Sequence, residues 1–418
     1  MKIRTKIRTR LNVEDIFFAI ALFCVSSFAL LEHSNIALPI CSLLKYPMLI
    51  VGGVSLLCAL NTLLKSFRKK KYFYVLLMVA AFCVLLMLTA FANRSPKIGS
   101  NPMHHTLRLI IYIVELFALA IWAAETGRSK QVMEFLFRYV LVLAIITDFL
   151  LFTKLIVFYS GRHEVYIVGT KFSVSYLHMS LVTLWVIHKN MELHREIKTK
   201  RRVLFLMVFI LAVSVKVNCM TGVVGCAALM VFFAMLNTKI QRQFIRFTHP
   251  LFLLLFFVGS VLFPFVAEKI LSLPAVQYVI EELFGRDSTL TGRLSVFLEF
   301  FEKTRGQLMW GYGYGNGYAV SETLFGVANA QNALLQWTLQ VGVPTTMVLC
   351  ALMLVIFGQL SRSPRQRYLL PLAVLIIVYT ILGTVETTFN MSFIMWFALV
   401  FMNVNARPLP SGHAAELN

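Results

Sequence analysis

Long apolar runs, broken by short polar stretches, constrain this chain more than any other feature. Runs of roughly 17–25 residues match the thickness of a bilayer's hydrocarbon layer once wound into a helix. Of the 418 residues, 59% are hydrophobic and only 14% charged, where a soluble domain carries about 25% charged residues. The pattern reads as an all-α integral membrane protein, a single polytopic domain over 1–418. The expected bundle has twelve transmembrane helices, at 14–31, 40–64, 73–92, 107–124, 132–157, 167–188, 203–217, 220–236, 251–267, 331–357, 370–386 and 389–404.

The net charge of +20 is spread as short basic clusters between apolar runs. That is the signature of the positive-inside rule and not of a nucleic-acid surface, so no nucleic-acid partner is expected. With the amino terminus cytoplasmic, alternate loops hold most of the 39 Lys and Arg: Lys2 to Arg10, Lys65 to Lys71, Arg128 and Lys130, Lys189 to Arg202, Lys239 to Arg246, Arg362 to Arg367, and Arg407. Both termini then lie inside, and the 268–330 segment lies outside. MKIRTKIRTR followed by an apolar run has the look of a signal peptide. No small-residue cleavage site follows it, so a retained first helix is expected. The tail 408–418 is short and polar, and is expected to be disordered and cytoplasmic.

The seven cysteines (Cys24, Cys41, Cys58, Cys83, Cys219, Cys226 and Cys350) sit in or beside apolar runs with no CxxC and no Cys/His ligand spacing. No HExxH, GxSxG or metal-ligand cluster appears, and no phosphate loop. No metal or cofactor is expected.

The long outer loop, 268–330, is the one extended polar excursion. Loops longer than about 15 residues are usually functional or disordered, and this one carries structure. Leu290, Leu294, Phe297 and Phe301 recur at helical spacing, which predicts an amphipathic helix on the outer membrane–water boundary. Upstream, Arg286 and Arg293 flank DSTLTG. Two guanidinium groups around such a turn suit a diphosphate; an ordinary capped helix start with Asp287, Ser288 or Thr291 fits the same residues. Trp310 to Tyr318 alternates glycine with aromatics, Tyr312 and Tyr314 among them. Such rings stack on sugars or sit at the lipid boundary.

Other ionisable residues stand at or in the membrane, where charge is costly and a functional role is the default suspicion. Arg162 and Lys171 lie between the fifth and sixth helices, with a solvated loop residue the plain alternative for Arg162. Glu115, Asp148, Lys216 and Glu386 lie in or near helices, either functional or paired for structure. Glu386, in VETTFN, is on the same face as the long loop.

Taken together, GRDSTLTGR, the helix after it, WGYGYGNG and AQNALLQWTLQVG resemble the O-antigen polymerase and ligase superfamily, nearest to its exopolysaccharide-polymerase branch. The resemblance is specific over Gly285 to Gly342 and weaker around Gly161 to Tyr176 and in Val385 to Asn390. It implies an inner-membrane glycosyltransferase of the C type (GT-C-like) that polymerises oligosaccharide repeats carried on undecaprenyl diphosphate at the periplasmic face, without metal or nucleotide. It also implies membrane lipids, a chain-length regulator and a flippase as partners. Arg286 and Arg293 would hold the diphosphate, with Arg162 and Lys171 supporting them. Many relatives carry histidine where this chain has Gln331, beside Asn332. Glutamine is no general base, so the base falls to Glu386, Glu322 or Asp287, and Gln331 and Asn332 are left to position substrate. A ligase moving finished glycan to lipid A–core, and a flippase or other transporter, are the competing readings.

Overall fold

The computed structural model describes residues 12–34, 40–160, 163–193, 197–235, 241–278 and 293–407. It is helical nearly throughout. In chain order the helices are α1 (Val13–Leu30), α2 (Ile40–Leu57), α3 (Leu60–Phe67), α4 (Lys70–Ala92), α5 (Met103–Thr126), α6 (Ser129–Thr153), α7 (Lys171–Leu193), α8 (Ile197–Lys216) and α9 (Met220–Met235). They continue with α10 (Gln241–Phe244), α11 (Pro250–Leu271), α12 (Pro274–Tyr278), α13 (Arg293–Thr304), α14 (Gly317–Phe325), α15 (Ala333–Ser361), α16 (Gln366–Leu382) and α17 (Met391–Asn405).

Helix occupies each of the twelve expected segments. Among the described residues, six helices (α1, α4, α5, α6, α11 and α15) are long and apolar enough to cross a bilayer, and α2 with α3 would add a seventh as a pair bent by 75°. The expected helix 40–64 is therefore two helices meeting at a sharp bend. Helices α9, α16 and α17 are apolar but shorter. Side chains such as Ile50, Val54, Tyr74, Val84, Phe149, Phe205 and Phe265 are exposed on α2, α4, α6, α8 and α11. Apolar surface on that scale demands a non-aqueous surrounding, so this is a membrane protein.

Polarity sorts the helices into an inside and an outside. Helices α16 and α17 are apolar on all sides and almost wholly buried, as a helix without a polar face must be. They form the centre, with α5 and α15 against α17 and with α7, α9 and α11 against α16.

The two ends of the bundle differ in charge. One end holds the start of α4, the end of α5 and the end of α17. There the buried Glu125 carboxylate meets Lys69, lies 3.0 Å from Lys71 and accepts a 2.7 Å hydrogen bond from the Tyr72 hydroxyl. Arg407 lies 3.7 Å away. Arg128 pairs with Asp15 at 2.7 Å at the same end, and the Arg365 guanidinium donates to the Asn403 and Arg407 carbonyls. Of the basic stretches read from the sequence, Lys69 and Lys71, Arg128, Arg365 and Arg407 thus converge on one end, with Glu125 and Asp15 as acidic partners. The other end holds the end of α1, the α4–α5 connection, the start of α7, the α8–α9 and α16–α17 turns and the described residues 305–332 before α15, and is called the loop end below.

Candidate functional site at the loop end

The glycine–aromatic run is a strap across a broken helix. In α15, Gly342 sits at φ 79°, ψ 167°, outside the helical region, and Pro344 follows. Pro344 has no N–H to give to Gln340 O and its ring crowds the preceding turn, while at the break Val343 N–H turns away from Leu339 O, so both carbonyls lose their helical donors. The strap replaces them: Tyr312 N–H donates to Leu339 O at 2.9 Å, and Gly313 N–H to Gln340 O at 2.8 Å. In return Val343 N–H donates to Leu308 O at 2.8 Å, and Thr89 Oγ1 donates to Val341 O at 3.1 Å. The strap must therefore lie against the α15 backbone, which explains its composition. A Cβ on Gly311 would stand 2.6 Å from Gln340 O, and one on Gly342 only 2.2 Å from Met309 O. The alternation read as sugar-stacking or interfacial is first a docking requirement. Asn316 fixes the other side of the strap, its amide donating to Ser100 O at 2.8 Å and its Oδ1 accepting from Ser100 N–H at 3.0 Å.

Held this way, the Tyr314 ring packs against Trp337 (5.8 Å between centroids), whose indole N–H donates to Phe389 O at 2.7 Å. Tyr312 packs instead into a small second core with Phe297, Phe300, Val320 and Leu335. Burial pushes both phenols up from their ordinary range, so each is an O–H donor at any working pH. Tyr314 also lies within electrostatic reach of Glu32 and Arg108.

Those two residues belong to a group that the sequence reading passed over. Arg108, in the second turn of α5, is within reach of Lys45 on α2 and 3.4 Å from His105 Nδ1. The Lys45 ammonium is buried and donates to Glu32 O at 2.6 Å. The His104 ring lies 4.1 Å from that of His105, and its Nε2 hydrogen-bonds the Tyr46 hydroxyl. The Glu32 carboxylate accepts from Met391 N–H at 2.9 Å, which joins α1 to the start of α17. One arginine, one lysine, two histidines and one carboxylate thus lie beside the strapped aromatics. The signal was available: Arg108 in HHTLRLIIYIVE and Lys45 in CSLLKYPMLIV are ionisable groups inside apolar runs, the same pattern that flagged Glu115.

Arg286, Asp287 and Arg162 lie outside the described residues. Arg293 opens α13. That helix does not lie free on a membrane boundary: Phe297 packs edge-on against Phe263 of α11 and Phe301 stacks on Phe265 (5.4 Å), while Phe300 stacks on Phe325 of α14. Its buried stripe includes Val296 and Phe300, which the spacing argument had not chosen. Phe158–Ser160 pairs antiparallel with His163–Val165, where only a loop was expected.

Lys171 opens α7, and both it and Glu386 lie within electrostatic reach of the buried Cys219 thiol at the α8–α9 turn. Glu386 is buried, its Oε1 accepting from Thr387 N–H at 3.1 Å. Glu322 lies exposed on α14, while Glu386 is buried at the α16–α17 turn. Asn332 is a staple and not an open substrate ligand. It is fully buried. Its Oδ1 caps α15 by accepting from Leu334 and Leu335 N–H at 3.0 Å, and its amide donates to Ser260 O (3.0 Å) and Thr384 O (3.1 Å). Gln331 beside it is half-buried and in the left-handed region at φ 56°. Of the residues flagged inside helices, Asp148 pairs with the buried His178 at 3.0 Å and Lys216 is exposed at the end of α8.

Comparison with known proteins found no match: no family model, no curated protein and no solved structure.

Proposed function

We propose that this chain is a polymerase of lipid-linked oligosaccharide repeats, with a donor carried on undecaprenyl diphosphate and chemistry at the loop end. In this reading the bundle has twelve spans and a GT-C-like arrangement in a bacterial inner membrane, with both termini cytoplasmic and the loop end periplasmic. The observation that carries it is the group of Lys45, Arg108, His104 and His105 with Glu32 beside Tyr314 and Trp337. Cations at the level where a bilayer meets water suit a membrane-borne diphosphate, and aromatic faces suit a sugar next to it.

The chemistry asks little else of the protein. An acceptor hydroxyl attacks the donor's anomeric carbon, and the lipid diphosphate leaves with its bonding electrons. Negative charge grows on the leaving group, and guanidinium and ammonium groups already in place favour that change. Arg108 and Lys45 take this role with Arg286 and Arg293. Glu32 joins Glu386 as a candidate to receive the hydroxyl proton, while Gln331 orients the acceptor.

Arg108→Ala and Lys45→Ala, each checked for wild-type amounts in the membrane, are compared with Arg286→Ala and Arg293→Ala for surface polysaccharide on gels. Single unpolymerised repeats in all four variants support the reading. Full-length glycan that fails only to reach lipid A–core would make the protein a ligase. Repeats retained on the cytoplasmic face would make it a transporter, and normal polymer in the Arg108 and Lys45 variants would remove the proposed site.

A further inference from the structure

A second chemical feature lies deeper in the membrane layer, on the same helix as Arg108. Glu115 is on α5 between that residue at the loop end and Glu125 at the other. Its side chain is 5% exposed, and its Oε2 has no hydrogen-bond partner. The carboxyl faces α2 where two glycines adjoin. A Cβ on Gly53 would stand 2.9 Å from Oε1, and one on Gly52 3.1 Å from Oε2. The notch and the carboxyl therefore fit each other, and any larger residue in either place would separate α2 from α5.

No countercharge offsets this carboxyl. Among the described residues, the titratable groups within electrostatic reach are the Cys24 thiol on α1 and the Tyr112 phenol on α5, both neutral acids. Helices α2, α3, α4, α6 and α17, which also pack on α5, bring no described charged side chain to it. Among the described residues the Gly53 backbone N–H is the one group hydrogen-bonded to the carboxyl, and an ionised carboxylate buried with no countercharge is so costly that such a group takes up a proton instead. A metal ion would not serve, since hard cations need about six oxygen ligands and the described residues hold no cluster for one.

We propose that Glu115 is a proton-binding site within the membrane layer, a neutral carboxylic acid seated in the Gly52–Gly53 notch, and that it is the site at which a lipid-soluble carbodiimide modifies this protein. The reagent has a route to it, because Val51 and Val54 on α2 and Ile111 and Val114 on α5 are exposed to lipid. The acid proton moves to one carbodiimide nitrogen, and the carboxylate oxygen bonds to the central carbon. The resulting O-acylisourea rearranges to the stable N-acylurea. No group leaves, so the peptide gains the full mass of the reagent.

The test does not depend on the proposed polymerase activity. Protein in native membranes is treated with dicyclohexylcarbodiimide or with a water-soluble carbodiimide, then digested and mapped by mass spectrometry. The expected result is an adduct on Glu115 with the lipid-soluble reagent, weakening as the pH is raised. The water-soluble reagent should label exposed Glu299, Glu302 and Glu322 instead. Glu115→Gln, which keeps the neutral shape, should lose that adduct alone. Absence of the Glu115 adduct in the wild-type protein while the exposed carboxylates react, or equal labelling of Glu115 by both reagents, overturns the proposal. The wild-type map decides the matter even if the variant misfolds.

Discussion

Gly342→Ala tests whether the strap and the broken helix form one unit. The substitution meets two separate costs. At φ 79° and ψ 167° the backbone is in a region open essentially to glycine alone, and an alanine there costs about 1–3 kcal/mol. The new Cβ would also stand 2.2 Å from Met309 O, so the strap must move. Moving it breaks the bonds Tyr312 to Leu339, Gly313 to Gln340 and Val343 to Leu308. Each leaves buried groups unpaired at about 1–3 kcal/mol. The low end of the sum is about 4 kcal/mol. Gly326→Ala is the control. Gly326 also has a positive φ, 68°, but a Cβ there meets nothing within 4 Å, so only the backbone strain of about 1–2 kcal/mol applies. Both variants are purified in detergent and their thermal unfolding followed by tryptophan fluorescence, to which Trp310 and Trp337 contribute at the strap. Gly342→Ala should unfold at a clearly lower temperature than Gly326→Ala and should also lose polymer formation. Equal unfolding temperatures would show that the strap's hydrogen bonds contribute little, and the argument for its glycines would fail.

Asn332→Ala should destabilise the protein by about 3 kcal/mol, from a lost helix cap and from the Ser260 and Thr384 carbonyls left without their donor. Gln331→Ala should lower the unfolding temperature less than Asn332→Ala and act on polymer length or rate. Thermal unfolding beside a polymer gel separates the two. Glu125→Gln should cost about 1–2 kcal/mol, because Lys69, Lys71 and Arg407 would face one another without the carboxylate but stay partly screened by solvent. The same melting assay reads this, and Glu134→Gln, which breaks an exposed pair with Arg138 on α6, should shift it by about 0.5 kcal/mol or less.

Helix placement was legible because apolar runs of bilayer length leave few alternatives. Ends were less so: the fifth segment was read to 157, but α6 stops at Thr153, where Lys154 enters the left-handed region at φ 53° and its N–H closes the last turn onto Leu150 O. The bend between α2 and α3 carries no proline or glycine at Cys58–Ala59, so local chemistry did not mark it. Three-residue strands such as Phe158–Ser160 are too short for periodicity to register. The meaning of the strap's glycines depends on a partner backbone at Leu339 to Gly342, and no property of the WGYGYGNG segment alone names that partner. Asn332 read as a ligand because its neighbours resemble a catalytic motif, yet its amide is used in joining α11, α15 and the α16–α17 turn.

The break in α15 also bears on the choice between a polymerase and a transporter. Transporters place interrupted helices at the substrate site because the carbonyls and N–H groups freed at the break then bind the ion or substrate. In α15 those groups are already engaged. Leu339 O and Gln340 O accept from the strap, Val341 O accepts from Thr89, and Val343 N–H donates to Leu308 O. An ion binding to these groups at the break would compete with the strap and Thr89 for them. What the break does provide is a fixed anchorage for the long segment, setting Tyr314 against Trp337 and bringing both beside Arg108 and Glu32. A kink that positions a loop over a cationic cluster at one end of the bundle suits a reaction at the membrane surface better than passage through it. A direct measurement separates the two. If Gly313→Ala and Gly342→Ala abolish polymer while lipid-linked repeats still reach the loop-end face of the membrane, the break serves the reaction. Repeats confined to the opposite face would mean that it serves transport.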